Sequence, residues 1–395
     1  MTANKEIYVL SAVRTAIGGY GGSLKDVPTV DLAATAVRAA VERAGVSPDK
    51  VEHVVMGNVI HTDPRDMYLS RVAAVNGGLP VETPAVTCNR LCGSGLQAII
   101  SAAQQIETGH SDITLGGGAE NMSRSMYWAP AARWGARLND SSMVDAMVGA
   151  LTAPFDKIHM GVTAENIAEK WGISREEQDR LAVESHQRAA AAWESGAFKE
   201  QIVPVEIKTR KGTVVFEKDE HFRADASLEG MAKLKAVFKK DGSVTPGNAS
   251  GLNDAASALV LASAEAVKRD GLKPIARLVG YSHAGVEPKY MGIGPVPAVK
   301  KLLEKTGLSI ADFDVFEVNE AFAAQALAVT RGLDLDPAKV NPNGSGISLG
   351  HPIGATGSIV LTKAIHELHR SGGKLALVTM CIGGGQGIAA LFEHG

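Results

Sequence analysis

The sequence predicts an α/β protein made of two similar halves, with a segment of different character inserted between them. Three observations carry this. Short apolar runs alternate with helical patterns along most of the chain, the signature of α/β architecture with largely parallel sheets. Residues 36–57 lie over residues 298–319 at a shift of 262 positions, where Ala36/Ala298, Val37/Val299, Glu42/Glu304, Gly45/Gly307 and Ser47/Ser309 coincide. The same shift lays Gly95 on Gly357 and Ala102 on Ala364. Residues 120–250 break the pattern and hold all four tryptophans, Trp128, Trp134, Trp171 and Trp193. A duplication predicts a pseudo-twofold axis, and ligand cavities favour such interfaces.

In order along the chain, residues 6–13 form an apolar strand pattern. Residues 31–44 place Leu32, Ala33, Ala36, Val37, Ala40, Val41 and Ala44 on one helical face. Residues 51–57 read as a strand. Residues 95–107 read as a helix apolar over much of its surface, hence buried. Residues 112–119 form a strand running into glycines. In the inserted segment, Ser174-Arg175-Glu176-Glu177 fits a capping box and opens a helix to about Trp193. Strands are expected at 313–318 and 375–380. The boundaries that follow are 1–120 plus 251–273 for the N-terminal half, 121–250 for the inserted loop domain, and 274–395 for the C-terminal half.

Composition narrows the function classes. Lys plus Arg is 40 against 43 Asp plus Glu, a balance unlike that of a dedicated nucleic-acid binder. No run approaches the roughly 18 apolar residues of a spanning helix, so no membrane partner is expected. Three cysteines, Cys88, Cys92 and Cys381, do not make a disulfide scaffold. With neither a secretory layout at the N-terminus nor a targeting tag at the C-terminus, a cytoplasmic protein is expected.

Cys92 precedes Gly93-Ser94-Gly95 and a helix. Unpaired N–H groups and the helix dipole there favour thiolate, the nucleophilic form; the other reading is a buried structural cysteine. Cys88 has no such surroundings and reads as structural. His351 lies in the glycine-dense 343–357 segment before a helix, where an exposed ring with little packing suits a base. Cys381 opens Cys381-Ile382-Gly383-Gly384-Gly385, a loop whose N–H groups can cradle an oxyanion. Asn319 follows a strand, where it either orients a water or caps a helix. No metal site is expected: His366 and His369 lack metal-ligand spacing and read as a solvated helix face.

Together these segments resemble the thiolase family. The matching motifs are Asn89–Gly95, Gly117–Ser123, His159-Met160-Gly161, Gly247–Gly251, Asn319-Glu320-Ala321-Phe322, Gly350–Gly357 and Cys381–Gly385, in family order and spacing across essentially the whole chain. The nearest likeness is to bacterial β-ketothiolases of the acetyl-CoA acetyltransferase group. The Asn-Arg-Leu-Cys-Gly-Ser-Gly form is similar to that of members accepting somewhat longer β-ketoacyl chains. The resemblance implies a layered α-β-α-β-α fold and reversible CoA-dependent Claisen condensation or thiolysis through a cysteine acyl-enzyme. It implies Cys92 as nucleophile, His351 as its base and Cys381 as the acid/base at the α-carbon. His351 and a water on Asn319 would bind the enolate oxygen, and the N–H groups of Cys92 and Gly383 the tetrahedral oxyanion. By motif match, Leu151, His159, Met160, Arg223, Phe238, Ala249, Ser250 and Phe322 would wall the channel for CoA thioesters, which are substrates rather than permanently bound cofactors.

The acid-free basic run at 231–240 (Lys233, Lys235, Lys239, Lys240) either meets nucleotide phosphates or is a solvated face. Two other functions are compatible with the fold: a non-catalytic acyl-CoA or lipid carrier, and another condensing enzyme such as a ketoacyl synthase. A carrier would be free to lose a reactive residue, and a second cysteine in a CxGGG loop favours thiolase. Family likeness also implies a homodimer or homotetramer.

Overall fold

The computed structural model describes residues 5–395. One sheet path runs through both halves. The N-terminal half contributes β1 (Ile7–Thr15), β2 (His53–Gly57), β3 (Ala85–Cys88), β4 (Ile113–Asn121) and β5 (Asn253–Ser263). The C-terminal half contributes β6 (Ala276–Gly285), β7 (Val315–Val318), β8 (Leu375–Ile382) and β9 (Gln386–His394). Their spatial order is β7-β8-β9-β6-β1-β5-β4-β2-β3.

The duplication is visible in this order. Shifted by 262 positions, β2 lands on β7 and β4 on β8. The N-terminal order β2-β4-β5-β1 and the C-terminal order β7-β8-β9-β6 are then the same. Only β3 lacks a counterpart, since its shifted position is taken by the short helix Gly346–Leu349. The halves meet where β1 pairs antiparallel with β6 through Ile7/Leu278, Tyr8/Arg277 and Val9/Ala276.

The expected largely parallel sheets are in fact mixed. β2 runs parallel to β3 and β4, and β7 to β8, but β1/β5, β4/β5, β8/β9 and β6/β9 are antiparallel. Parallel neighbours need a long crossover. Between β8 and β9 only Gly383-Gly384-Gly385 intervenes, and Gly384 and Gly385, at φ 83° and 87°, fold the chain straight back.

Three main apolar cores hold the helical layers against the sheet. The first packs α1 (Thr29–Ala44) on the outer face of the N-terminal sheet. The second fills the centre around α2 (Ser94–Glu107) and the later helix Thr356–Ser371. The third sets the helices Pro295–Thr306 and Ala323–Gly332 against the C-terminal sheet. At the centre the two helices touch at the residues that the repeat superposes. A Cβ on Gly95 would lie 2.7 Å from Ser358 N, and one on Gly357 only 2.3 Å from Leu96 N, so glycine is required at both.

Between β4 and β5 the chain leaves the sheet path and touches the sheet again only at Ile202–Val203, which pairs parallel with β1. This stretch carries α3 (Met160–Trp171) and α4 (Arg175–Glu194). The capping box of α4 is formed: Glu177 Oε2 accepts from Ser174 N at 2.7 Å, and Ser174 Oγ from Glu177 N at 3.2 Å. The three helices of the C-terminal half that bear on the site are α5 (Pro295–Thr306), α6 (Ala323–Gly332) and α7 (Thr356–Ser371). His366 on α7 departs from the expected solvated face. Its Nε2 bonds the Ala12 carbonyl at 2.9 Å because that side of the helix packs on β1; His369 is exposed.

Candidate active site

Cys92 stands in the tight turn between β3 and α2. Leu91 there is held at φ 44°, an uncommon conformation for a non-glycine residue. Asn89 Oδ1 accepts from Leu91 N at 2.9 Å, and Ser94 Oγ accepts from Arg90 N at 2.8 Å while donating to Leu91 O at 2.7 Å. The turn presents the Cys92 thiol to a cavity of about 480 Å³.

The thiol is not the resting thiolate expected from its place before α2. Burial pushes its pKa up to about 11, against the pull of the Gly383 N–H and its own N–H, while Glu120 adds to the rise. The helix begins only at Ser94, and the apolar surroundings outweigh its dipole.

His351 lines the same cavity, and its ring is buried rather than exposed as expected. The glycine-dense segment folds inward beneath the N-terminal half. Asn253 Oδ1 accepts from His351 N at 2.9 Å, and Glu120 Oε2 from Gly354 N at 2.9 Å. Burial lowers the imidazole pKa to about 4, so the ring is neutral. Nδ1 lies 2.6 Å from Thr356 Oγ1, and Nε2 has no protein partner.

Cys381 is at the end of β8, fully buried among Met160, Met291, Ala321 and Phe322, just behind the cavity wall rather than on it. Burial first, and the neighbouring Cys92 second, drive its pKa far up. Asn319 follows β7. It caps nothing, since α6 begins four residues later with Phe322 as its N-cap, and both atoms of its buried amide lack a protein partner. Gly383 lines the cavity, and its N–H is directed at the Cys92 sulfur. Cys88 is half-buried, its sulfur 3.6 Å from Ser94 O.

Seven of the eight expected channel residues line the cavity: Leu151, His159, Met160, Phe238, Ala249, Ser250 and Phe322. His159 stacks on Phe238, centroids 4.8 Å apart, and its Nδ1 accepts from Gly161 N at the start of α3. Arg223 does not line it. It is exposed in an adjoining shallow cleft with Tyr20, Glu220 and Phe222, which meets the cavity at His221 and Leu252. In the basic run, Lys233 pairs with Glu229 and Lys239 with Glu169, both at 2.7 Å and exposed. Among the described residues, no group of three or more His, Cys, Asp or Glu is arranged to hold a metal ion.

Sequence reasoning missed the apolar side of the cavity, above all Met122, Met147 and Ile353, which pack with Cys92. It also missed the buried residues that hold the loops. Glu120 accepts from Asn58 Nδ2, Val59 N, Ile60 N and Gly354 N at 2.9–3.1 Å. A carboxylate inside a glycine-rich apolar strand was the available signal.

Two layered halves closing on one cysteine-lined apolar cavity describe an α/β enzyme of the acyltransferase class. Comparison with known proteins narrows this. Residues 7–265 match the thiolase N-terminal domain and residues 272–394 the thiolase C-terminal domain. The chain is 65% identical over 391 residues to β-ketothiolase BktB of Cupriavidus necator, covering 99% of each. It superposes on the crystal structure of Bacillus anthracis acetyl-CoA acetyltransferase with a TM-score of 0.98 at 49% identity, covering 100% of both. On the human mitochondrial 3-ketoacyl-CoA thiolase in complex with CoA the TM-score is 0.96 at 46% identity, covering 99% of this chain and 98% of that one. The chain belongs to the thiolase family. Neither the carrier nor the ketoacyl-synthase reading finds support among these relatives.

Proposed function

We propose that this thiolase works through Cys92, His351, Cys381, Asn319 and Gly383, by a two-step ping-pong route on β-ketoacyl-CoA. In the thiolytic direction, His351 Nε2 takes the Cys92 thiol proton and the sulfur attacks the 3-keto carbon. The N–H groups of Cys92 and Gly383 hold the tetrahedral oxyanion. The C2–C3 bond breaks, and the acetyl-CoA enolate takes its proton from the Cys381 thiol; a thiol held protonated by burial is suited to that donation. Free CoA then gives its proton to the Cys381 thiolate and attacks the acyl-cysteine, and Cys92 leaves with the proton held on His351. Condensation is the reverse.

The observation that carries this reading is that one cavity is lined by both a thiol, Cys92, and a neutral imidazole, His351, whose Nε2 is unpartnered. The two free amide atoms of Asn319 support its part in binding the enolate oxygen through a water. The apolar lining of Leu151, Met160, Phe238, Ala249, Ser250 and Phe322 suits a pantetheine arm, with Arg223 outside at the nucleotide end. We place residues 121–250 as the domain that supplies most of this channel.

The oligomer expected from family likeness is supported by exposed large apolar residues, among them Met67, Tyr68, the edge-strand residue Val86, Trp134, Leu138 and Met143. No helix among the described residues is long and apolar enough to cross a membrane. Initial-rate thiolysis of C4, C5 and C6 β-ketoacyl-CoA at several CoA concentrations tests the function. Parallel double-reciprocal lines are expected; absence of turnover on all three substrates would refute it.

A further inference from the structure

We infer that Thr356 is a positioning residue that fixes the tautomer of His351, leaving the Nε2 lone pair free to accept a proton. The inference rests on the proposed role of His351 as proton acceptor for Cys92. A neutral imidazole can accept a proton through only one of its nitrogens, and the hydrogen bond at the other decides which.

His351 Nδ1 lies 2.6 Å from Thr356 Oγ1, and the Thr356 hydroxyl lies 2.9 Å from the Pro352 carbonyl, to which it donates. A hydroxyl has one proton. With that proton committed to Pro352, its oxygen can only accept from the ring, so the hydrogen sits on Nδ1. The Pro352 carbonyl also accepts from Ala355 N and Thr356 N, at 2.8 and 2.9 Å, which holds it in place as the anchor. Nε2 is buried and unpartnered on the protein side. Were the hydrogen there instead, a buried N–H donor would be orphaned, which is rarer in proteins than an unfilled acceptor.

The arrangement is a chain of three groups, carbonyl to hydroxyl to imidazole, with no carboxylate in it. It orients the ring without adding negative charge. The hydroxyl stands in the first turn of α7, so the helix start, the Pro352 turn and the base form one rigid unit. Burial keeps the ring neutral at rest, which is the state that this chain orders.

Solid-state nitrogen NMR of histidine-labelled protein tests this, with the His351 signals assigned by difference from H351Q. The expected spectrum has a protonated Nδ1 and a bare Nε2; a bare Nδ1 in the wild type would overturn the inference without any mutation of Thr356. A second arm reads the rate at which acetyl-CoA acylates Cys92 in a single turnover. T356V should slow it at least about tenfold, the scale of one buried hydrogen bond, and T356S should restore it to within about threefold of wild type. An unchanged rate in T356V, alongside a large loss in H351Q, would refute the part given to Thr356 and leave His351 as base. An unchanged rate in H351Q would refute the base itself.

Discussion

Glu120, in the N-terminal half, accepts the backbone N–H of Gly354, in the C-terminal half, at 2.9 Å, so that a buried carboxylate of one half holds the histidine loop of the other. The same carboxylate accepts from Val59, Ile60 and Asn58. The pseudo-twofold interface is thus tied by four hydrogen bonds to one buried side chain, a few residues from His351.

Replacing Glu120 by Gln turns one face of that acceptor into a donor. We expect E120Q to lose about 2 kcal/mol of stability and to lower kcat, because at least one buried N–H then lacks an acceptor. The pH dependence has a definite sign. Burial raises the carboxyl pKa from 4.5 to about 8 against the pull of the Ile60, Val59 and Gly354 N–H groups. Folding therefore favours the protonated form, and wild-type stability falls as pH climbs from about 5 to about 8. E120Q lacks this slope, so the gap between the two proteins narrows over that range. Thermal unfolding at pH 5.5 and pH 8 measures it; a gap that widens with pH would contradict the account.

Gly161 has no room for a side chain. A Cβ there would fall 2.3 Å from the Phe238 ring, which stacks on His159 in the channel wall. G161A should cost about 1–3 kcal/mol by overpacking, displace Phe238 and raise KM for the CoA thioester more than it lowers kcat. An unchanged KM would show that the stack does not shape the channel.

How much of this was legible beforehand follows from the range of the forces involved. The repeat and the strand and helix periods were readable because local apolar patterning dictates them; Gly95 and Gly357, matched by a shift of 262, do meet in the core. The burial of His351 was hidden because its cover, Asn253 and Glu120, comes from distant strands. The un-ionised state of Cys92 was hidden for the same reason: the helix start is local and visible, whereas the apolar wall that outweighs it assembles only in three dimensions. Strand direction was misjudged because alternation with helices does not reveal which strands return through a tight turn. Arg223 was carried onto the channel by motif alone and stands outside it.

Met147 closes the cavity beside Cys92, packed with Met122 and Ile353. Truncation to Ala should lengthen the space open to an acyl group on that sulfur. One methylene in an apolar pocket is worth about 1–3 kcal/mol. The ratio of kcat/KM for C6 over C4 β-ketoacyl-CoA should therefore rise about tenfold in M147A. A ratio that does not move would place the acyl chain elsewhere.

Covalent acyl transfer through Cys92 is tested most directly by intact-protein mass spectrometry after brief exposure to acetyl-CoA. We expect one added acetyl group in the wild type, mapped to Cys92 after digestion, and none in C92A. An unmodified wild-type protein, or an acetyl group that persists in C92A, would contradict the account.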